Sequence, residues 1–112
     1  MRAETLKGHL DGLLLASLEA GPRHGYAIME ALRAGSGGQF DLPTGTIYPA
    51  LRRLERAGLV RGTWDEVGGR RRRVYELTAA GRRALATDRG TWRDFAAAVT
   101  ALLEPAARPV TP

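Results

Sequence analysis

The sequence contains no cysteine, which excludes disulfide frameworks, cysteine-ligated metal sites and cysteine nucleophiles. Histidine is scarce. His9 and His24 stand apart, with no carboxylate at metal-ligand spacing, so no metal site is expected. No apolar run approaches the length of a membrane span, and the N-terminal "MRAETLKGHLDG" has no signal-peptide apolar core. A soluble, cytoplasmic protein is expected. The glycine-rich "GSGG" at 35–38 has no strand before it, so it is a loop and not a phosphate cradle. With no cluster of histidine and carboxylate either, neither an enzyme nor a cofactor is expected. Lysine is also nearly missing: Lys7 is the only one among 17 basic residues, and all the others are arginine.

What remains is ordinary globular material: 112 residues, 44% hydrophobic and 26% charged, enough for one domain with a small core. Self-association is a common remedy at this size. The net charge of +5 favours an acidic partner, either nucleic acid or an anionic membrane surface.

Leu6, Leu10, Leu13, Leu14 and Leu18 recur at spacings of three and four. This predicts an amphipathic helix over roughly 5–20, stopped by "GP" at 21–22. A second short helix is predicted in "HGYAIMEALRAG", followed by a flexible loop whose far end is pinned by Phe40 and Leu42. A third helix is predicted in "GTIYPALRRLERAGL". Ile47, Leu51 and Leu54 form a narrow core stripe, and Gly58 closes the helix where a left-handed residue is cheap. At 100° per residue, Gly45, Pro49, Arg52 and Arg56 fall on the outer face, with Thr46 and Arg53 on one flank and Tyr48 on the other. With Thr44 as the cap, Pro49 sits one turn in. The residue four back is Gly45, which lets the first turn distort around the ring.

Leu59–Asp65 and Arg71–Leu77 are strand candidates joined by the turn "EVGGR", a β-hairpin with Arg70, Arg71, Arg72 and Arg73 at its tip and second strand. Thr78 is expected to cap a last helix over about 79–103, in which Leu85, Trp92, Phe95 or Ala96, Val99 and Leu102 recur at near-heptad spacing, interrupted by Asp88. The segment 104–112, with three prolines, reads as a frayed tail.

The order helix, helix, helix, hairpin, helix is mostly α with a small β-hairpin. Two helices before an arginine-faced third describe a helix-turn-helix, and the basic hairpin after it is a wing. Such a third helix enters the major groove while the wing reaches phosphates or the minor groove. Taken alone, exposed arginines on a helix are usually just solvated. It is the two basic elements side by side that point to DNA. A winged helix that docks on proteins is the alternative, although a docking face is more often apolar at its centre.

"LPTGTIYPALRRLERAGLV" followed by "GRRRRVYELTAAG" resembles the PadR family of bacterial transcriptional regulators, as does "LKGHLDGLLLASLEAGPRHGYAIMEAL" with its Lys7–Gly8 and Gly25–Tyr26. The combination of Tyr48–Pro49, Leu54–Glu55 with Gly58, and Tyr75 before Leu77–Thr78 and Gly81 is specific, and the likeness runs from about 5 to 85. It implies a homodimeric winged-helix DNA-binding protein, usually a repressor and often released by a small molecule, with the last helix as the dimerisation element. By position it assigns Thr44, Thr46, Tyr48, Pro49 and Arg52 or Arg53 to the recognition helix, and Arg71 to Arg73 to the wing.

The expected organisation is a winged helix-turn-helix over 1–77, a dimerisation helix over 78–103 and a tail over 104–112. Residues 44–57 form the recognition helix, with Arg56 included, and 59–77 the wing, with Arg70 included. The candidate dimer contacts are Leu85, Trp92, Phe95, Val99, Leu102 and Leu103, more apolar surface than one small domain buries. A two-fold dimer would set two recognition helices on successive major grooves and require an inverted-repeat operator. Asp88, one turn before Trp92, puts a carboxylate in an apolar seam, which is costly unless it is paired or hydrated. Pairing with Arg89 or Arg93 of a second subunit would answer that cost. Asp88, Trp92 and Phe95 also form a candidate effector site for a flat apolar or cationic molecule.

Overall fold

The structure is a computed structural model that describes Leu6 and residues 8–105. Helix α1 spans Leu10–Ser17, strand β1 Arg23–His24, α2 Gly25–Gly35, α3 Thr44–Arg56, β2 Val60–Val67, β3 Arg70–Leu77 and α4 Ala79–Leu103. The three strands form one antiparallel sheet in the order β1-β3-β2. Mostly helical architecture with a small sheet was expected; β1, a two-residue strand on the outer edge of β3, was not.

The leucine stripe is real, but α1 is shorter than its 5–20 span. Gly8 turns at φ +88, and the His9 amide closes a turn on the Leu6 carbonyl at 2.8 Å. Leu6 is therefore buried from a turn and not from the helix. Residues 1–5 and Lys7 of the N-terminal stretch lie outside the described residues. So does the expected tail from 106 onward.

Leu14, Leu18, Ile28, Ile47, Leu51, Leu54 and Val60 are the fully buried centre. They come from α1 and the residue that ends it, α2, α3 and the first residue of β2, so burial ties the three helices to the base of the wing. Each such side chain is worth roughly 1.5–3 kcal/mol on leaving water. Leu42 is buried and Phe40 packs against the core, as the loop reading requires. Leu85 also belongs to this core, at 5% exposure. This corrects its assignment to the dimer seam: the N-terminal part of α4 lies on its own domain, and only the distal part stands clear.

Three chain turns are set by local chemistry. His24 caps α2, its Nδ1 accepting from the Ala27 amide at 3.3 Å. Gly58 at φ +76 ends α3, while the Leu59 amide reaches back to the Leu54 carbonyl at 3.0 Å. Thr78 caps α4, its Oγ1 accepting from the Gly81 amide at 3.0 Å. The hairpin strands run further than the sequence reading has them. Gly68 and Gly69 both take positive φ, which permits a tight two-residue turn matched to strand twist. Val67 therefore already pairs with Arg70.

Candidate nucleic-acid interface

Thr44 does not cap α3. Pro43 holds the N-cap position with no side-chain bond, and Thr44 is the first helical residue. The opening turn is instead held by the Thr46 and Ile47 amides on the Pro43 carbonyl, at 3.0 and 3.1 Å. Pro49 is thus the sixth helical residue and has no N–H to donate to the Gly45 carbonyl. Ile47, Ala50, Leu51 and Leu54 are buried. Thr44, Gly45, Pro49, Arg52, Arg53 and Arg56 are exposed, and Thr46 and Tyr48 are half-buried.

Among the described residues, Arg52 and Arg56 make no ion pair, so both guanidinium groups stand in solvent. Arg53 is tied to Asp11 of α1. The three helix arginines are therefore not equivalent, although all three are exposed.

The wing arginines divide as well. Arg73 lies inward: its Nη2 donates to Glu55 Oε2 of α3 at 2.5 Å, and its guanidinium sits 5.5 Å from the Trp64 ring centre. Gly62 makes room for it, since a methyl there would be 2.8 Å from Arg73 Nε. Arg73 thus links the wing to the third helix, unlike Arg70, Arg71 and Arg72, none of which bonds to α3 among the described residues. Arg71 covers the same Trp64 ring at 4.9 Å. Arg72 faces His24, with 3.4 Å between Nη1 and Nε2, and Arg70 is exposed at the tip.

Between the wing, the start of α2 and α3 lies a groove of about 270 Å³ lined by His24, Gly25, Tyr26, Tyr48 and Arg70 to Arg73. Its walls are cationic and aromatic. Burial raises the Tyr48 phenol above its ordinary range, with Tyr26 adding to the shift and Arg72 opposing it. Burial likewise raises Tyr75. Both hydroxyls stay neutral and can donate hydrogen bonds at neutral pH. Sequence reasoning missed Tyr26, Trp64, His24 and Asp11. Trp64 was within reach, because pairing outward from a Gly68–Gly69 turn sets it opposite Arg73. Asp11 carried no signal, since it meets Arg53 only through the fold.

Trp92, Phe95, Leu102 and Leu103 are at least half exposed on α4, and Val99 is half-buried. Trp92 meets Phe95 at 5.9 Å and, in a T-shaped pair, His9 at 5.3 Å between ring centres. Asp88 leans on Gly12 of α1, where a methyl would come within 1.8 Å of its Oδ2. Arg89, an expected partner for Asp88 across a dimer, is held by Glu19 of the same chain at 2.8 Å. No group of three or more metal-ligating side chains occurs among the described residues, and no described helix is long and apolar enough to cross a membrane.

Residues 14–87 match the transcriptional regulator PadR-like family. Over 74 residues, 66% of the chain, the sequence is 40% identical to the transcriptional regulator Rv3488 of Mycobacterium tuberculosis and spans 56% of that protein. A PadR family transcriptional regulator from Eggerthella lenta superposes with a TM-score of 0.77 at 34% identity, covering 91% of this chain and 88% of the other. A transcriptional regulator from Clostridium thermocellum shares the fold, with a TM-score of 0.82 at 23% identity over 90% of this chain and 99% of its own.

Proposed function

We propose, from the premise that this chain belongs to the PadR-like family of transcriptional regulators, that it is a sequence-specific DNA-binding repressor. Helix α3 enters the major groove, and the wing sets Arg70, Arg71 and Arg72 on phosphates or the minor groove. The observation that carries this reading is the pairing of two basic elements: Arg52 and Arg56 exposed on α3, beside a wing whose Arg73 is bolted to Glu55 of that same helix. A bolted wing presents its charges in fixed register with the recognition helix, as simultaneous groove and backbone contact requires.

The protein acts as a cytoplasmic homodimer through the distal part of α4. Trp92, Phe95, Val99, Leu102 and Leu103 form the seam, and the operator is an inverted repeat. A small molecule at Trp92 and Phe95, near Asp88, relieves repression by favouring a dimer whose recognition helices no longer match the groove spacing. The start of α4, with Leu85 in the core, belongs with the winged helix, and the dimerisation role falls to the rest of the helix. The decisive measurement is the affinity of the purified protein for the DNA immediately upstream of its own gene relative to random duplex. A ratio near one would end the sequence-specific reading.

A further inference from the structure

Three arginines line α3, and the structure distinguishes one of them. Arg52 and Arg56 make no ion pair among the described residues, whereas Arg53 Nη2 bonds to Asp11 Oδ1 of α1. Asp11 is itself well located. It lies in the first turn of α1, three residues before the fully buried Leu14 and beside Gly12, on whose bare backbone the Asp88 carboxylate of α4 rests. Helix α1 is therefore held from the core side and from α4, and it holds out one carboxylate to the recognition helix.

An arginine reads guanine by aligning two N–H donors with two acceptors at once. An unrestrained side chain loses rotamer freedom on doing so, whereas one already tethered loses less. A phosphate accepts a guanidinium from many directions and needs no such alignment. A carboxylate beside the DNA face has a second effect: it repels the phosphate backbone whatever the sequence. It therefore costs affinity for all DNA and is worth keeping only if it sharpens the reading of some DNA.

Resting on the DNA-binding reading above, we infer that Asp11 is a positioning residue for sequence recognition: it orients Arg53 to contact a base edge, while Arg52 and Arg56 serve the phosphates. Asp11 touches no base and acts only through Arg53.

The test selects a preferred duplex from a random library with the full chain, then compares its affinity with that of random duplex for wild type, Asp11→Asn, Asp11→Glu, Arg53→Ala and the Asp11→Asn/Arg53→Ala double variant. Asp11→Asn is expected to bind random duplex more tightly and the selected duplex more weakly, lowering the ratio about tenfold. Arg53→Ala should lower the ratio by a similar factor, the double variant should fall no further, and Asp11→Glu should recover part of the loss. A purely structural role would weaken both affinities together, and that result overturns the inference. So does an unchanged ratio in Asp11→Asn or in Arg53→Ala while wild type selects normally. Wild type that fails to bind any duplex would overturn the DNA-binding reading itself, and this inference with it.

Discussion

The Tyr48 ring lies directly on the backbone of Gly25: a methyl at residue 25 would stand 2.3 Å from the hydroxyl oxygen and 2.6 Å from two ring carbons. This contact sets how closely the start of α2 approaches α3, the crossing on which a helix-turn-helix depends. Gly25→Ala should destabilise the fold by about 2 kcal/mol through overpacking, read as a lower urea midpoint. Adding Tyr48→Ala should recover part of the loss. Strictly additive effects in the double variant would show that the two residues do not share the space.

Two other glycines should behave oppositely. A methyl at Gly81 would meet the Leu59 carbonyl oxygen at 1.9 Å, and backbone cannot swing aside. Gly81→Ala should therefore cost about 3 kcal/mol. A methyl at Gly12 would meet only the end of Asp88, which can rotate away, and alanine is better than glycine in a helix by up to about 1 kcal/mol. Gly12→Ala combined with Asp88→Ala should melt no lower than wild type.

The arginines of the wing should separate by salt dependence. Arg71→Ala and Arg72→Ala should each weaken binding to all sequences and reduce the slope of log K against log salt by about one. Arg73→Ala should instead loosen the wing from α3, with lower proteolytic resistance of the hairpin in the absence of DNA. A change in slope without any change in hairpin protection would return Arg73 to the phosphate contacts.

Sedimentation at micromolar concentration should give a dimer, and Trp92→Glu with Leu102→Glu should give a monomer. The wild-type melting temperature should rise with protein concentration, and that of the double variant should not.

Alkaline pH should destabilise the fold through two shielded phenols, half-buried Tyr48 and buried Tyr75. Tyr48 and Tyr75 are raised in the folded state, chiefly by burial. Groups raised on folding hold their full contribution below the unfolded phenol value of about 10 and lose it as pH rises through the folded value. Tyrosinate absorbance of native protein should lag behind that of the unfolded chain above pH of about 10, and stability should fall across the same window. Stability that is flat there would contradict the assigned burial.

The fold was legible in the sequence wherever periodicity or capping chemistry spoke locally. The stripe Ile47, Leu51, Leu54, the Gly58 stop and the Thr78 cap needed only near neighbours, and each has its structural counterpart. The wing's basic run was legible as charge, but the fate of Arg73 was not, because Glu55 lies 18 residues away in sequence. Leu85 shows the same limit: heptad spacing cannot say whether a helical leucine faces its own core or a second chain. The short α1 escaped for a different reason. A stripe of leucines continues through a turn as easily as through a helix when Gly8 supplies the bend.

Among the described residues, the groove between wing and helices is cationic without a lysine in its lining. Cells commonly retune basic proteins by acylating amines, which erases a charge at each modified site. Among the described residues, no side chain lining this groove offers an amine, so acetyl donors have nothing there to neutralise. Whatever adjusts the grip of this surface must therefore move the arginines rather than discharge them. At the bench, amine-directed dyes and cross-linkers will leave the face blank, whereas arginine-selective dicarbonyl reagents will map it.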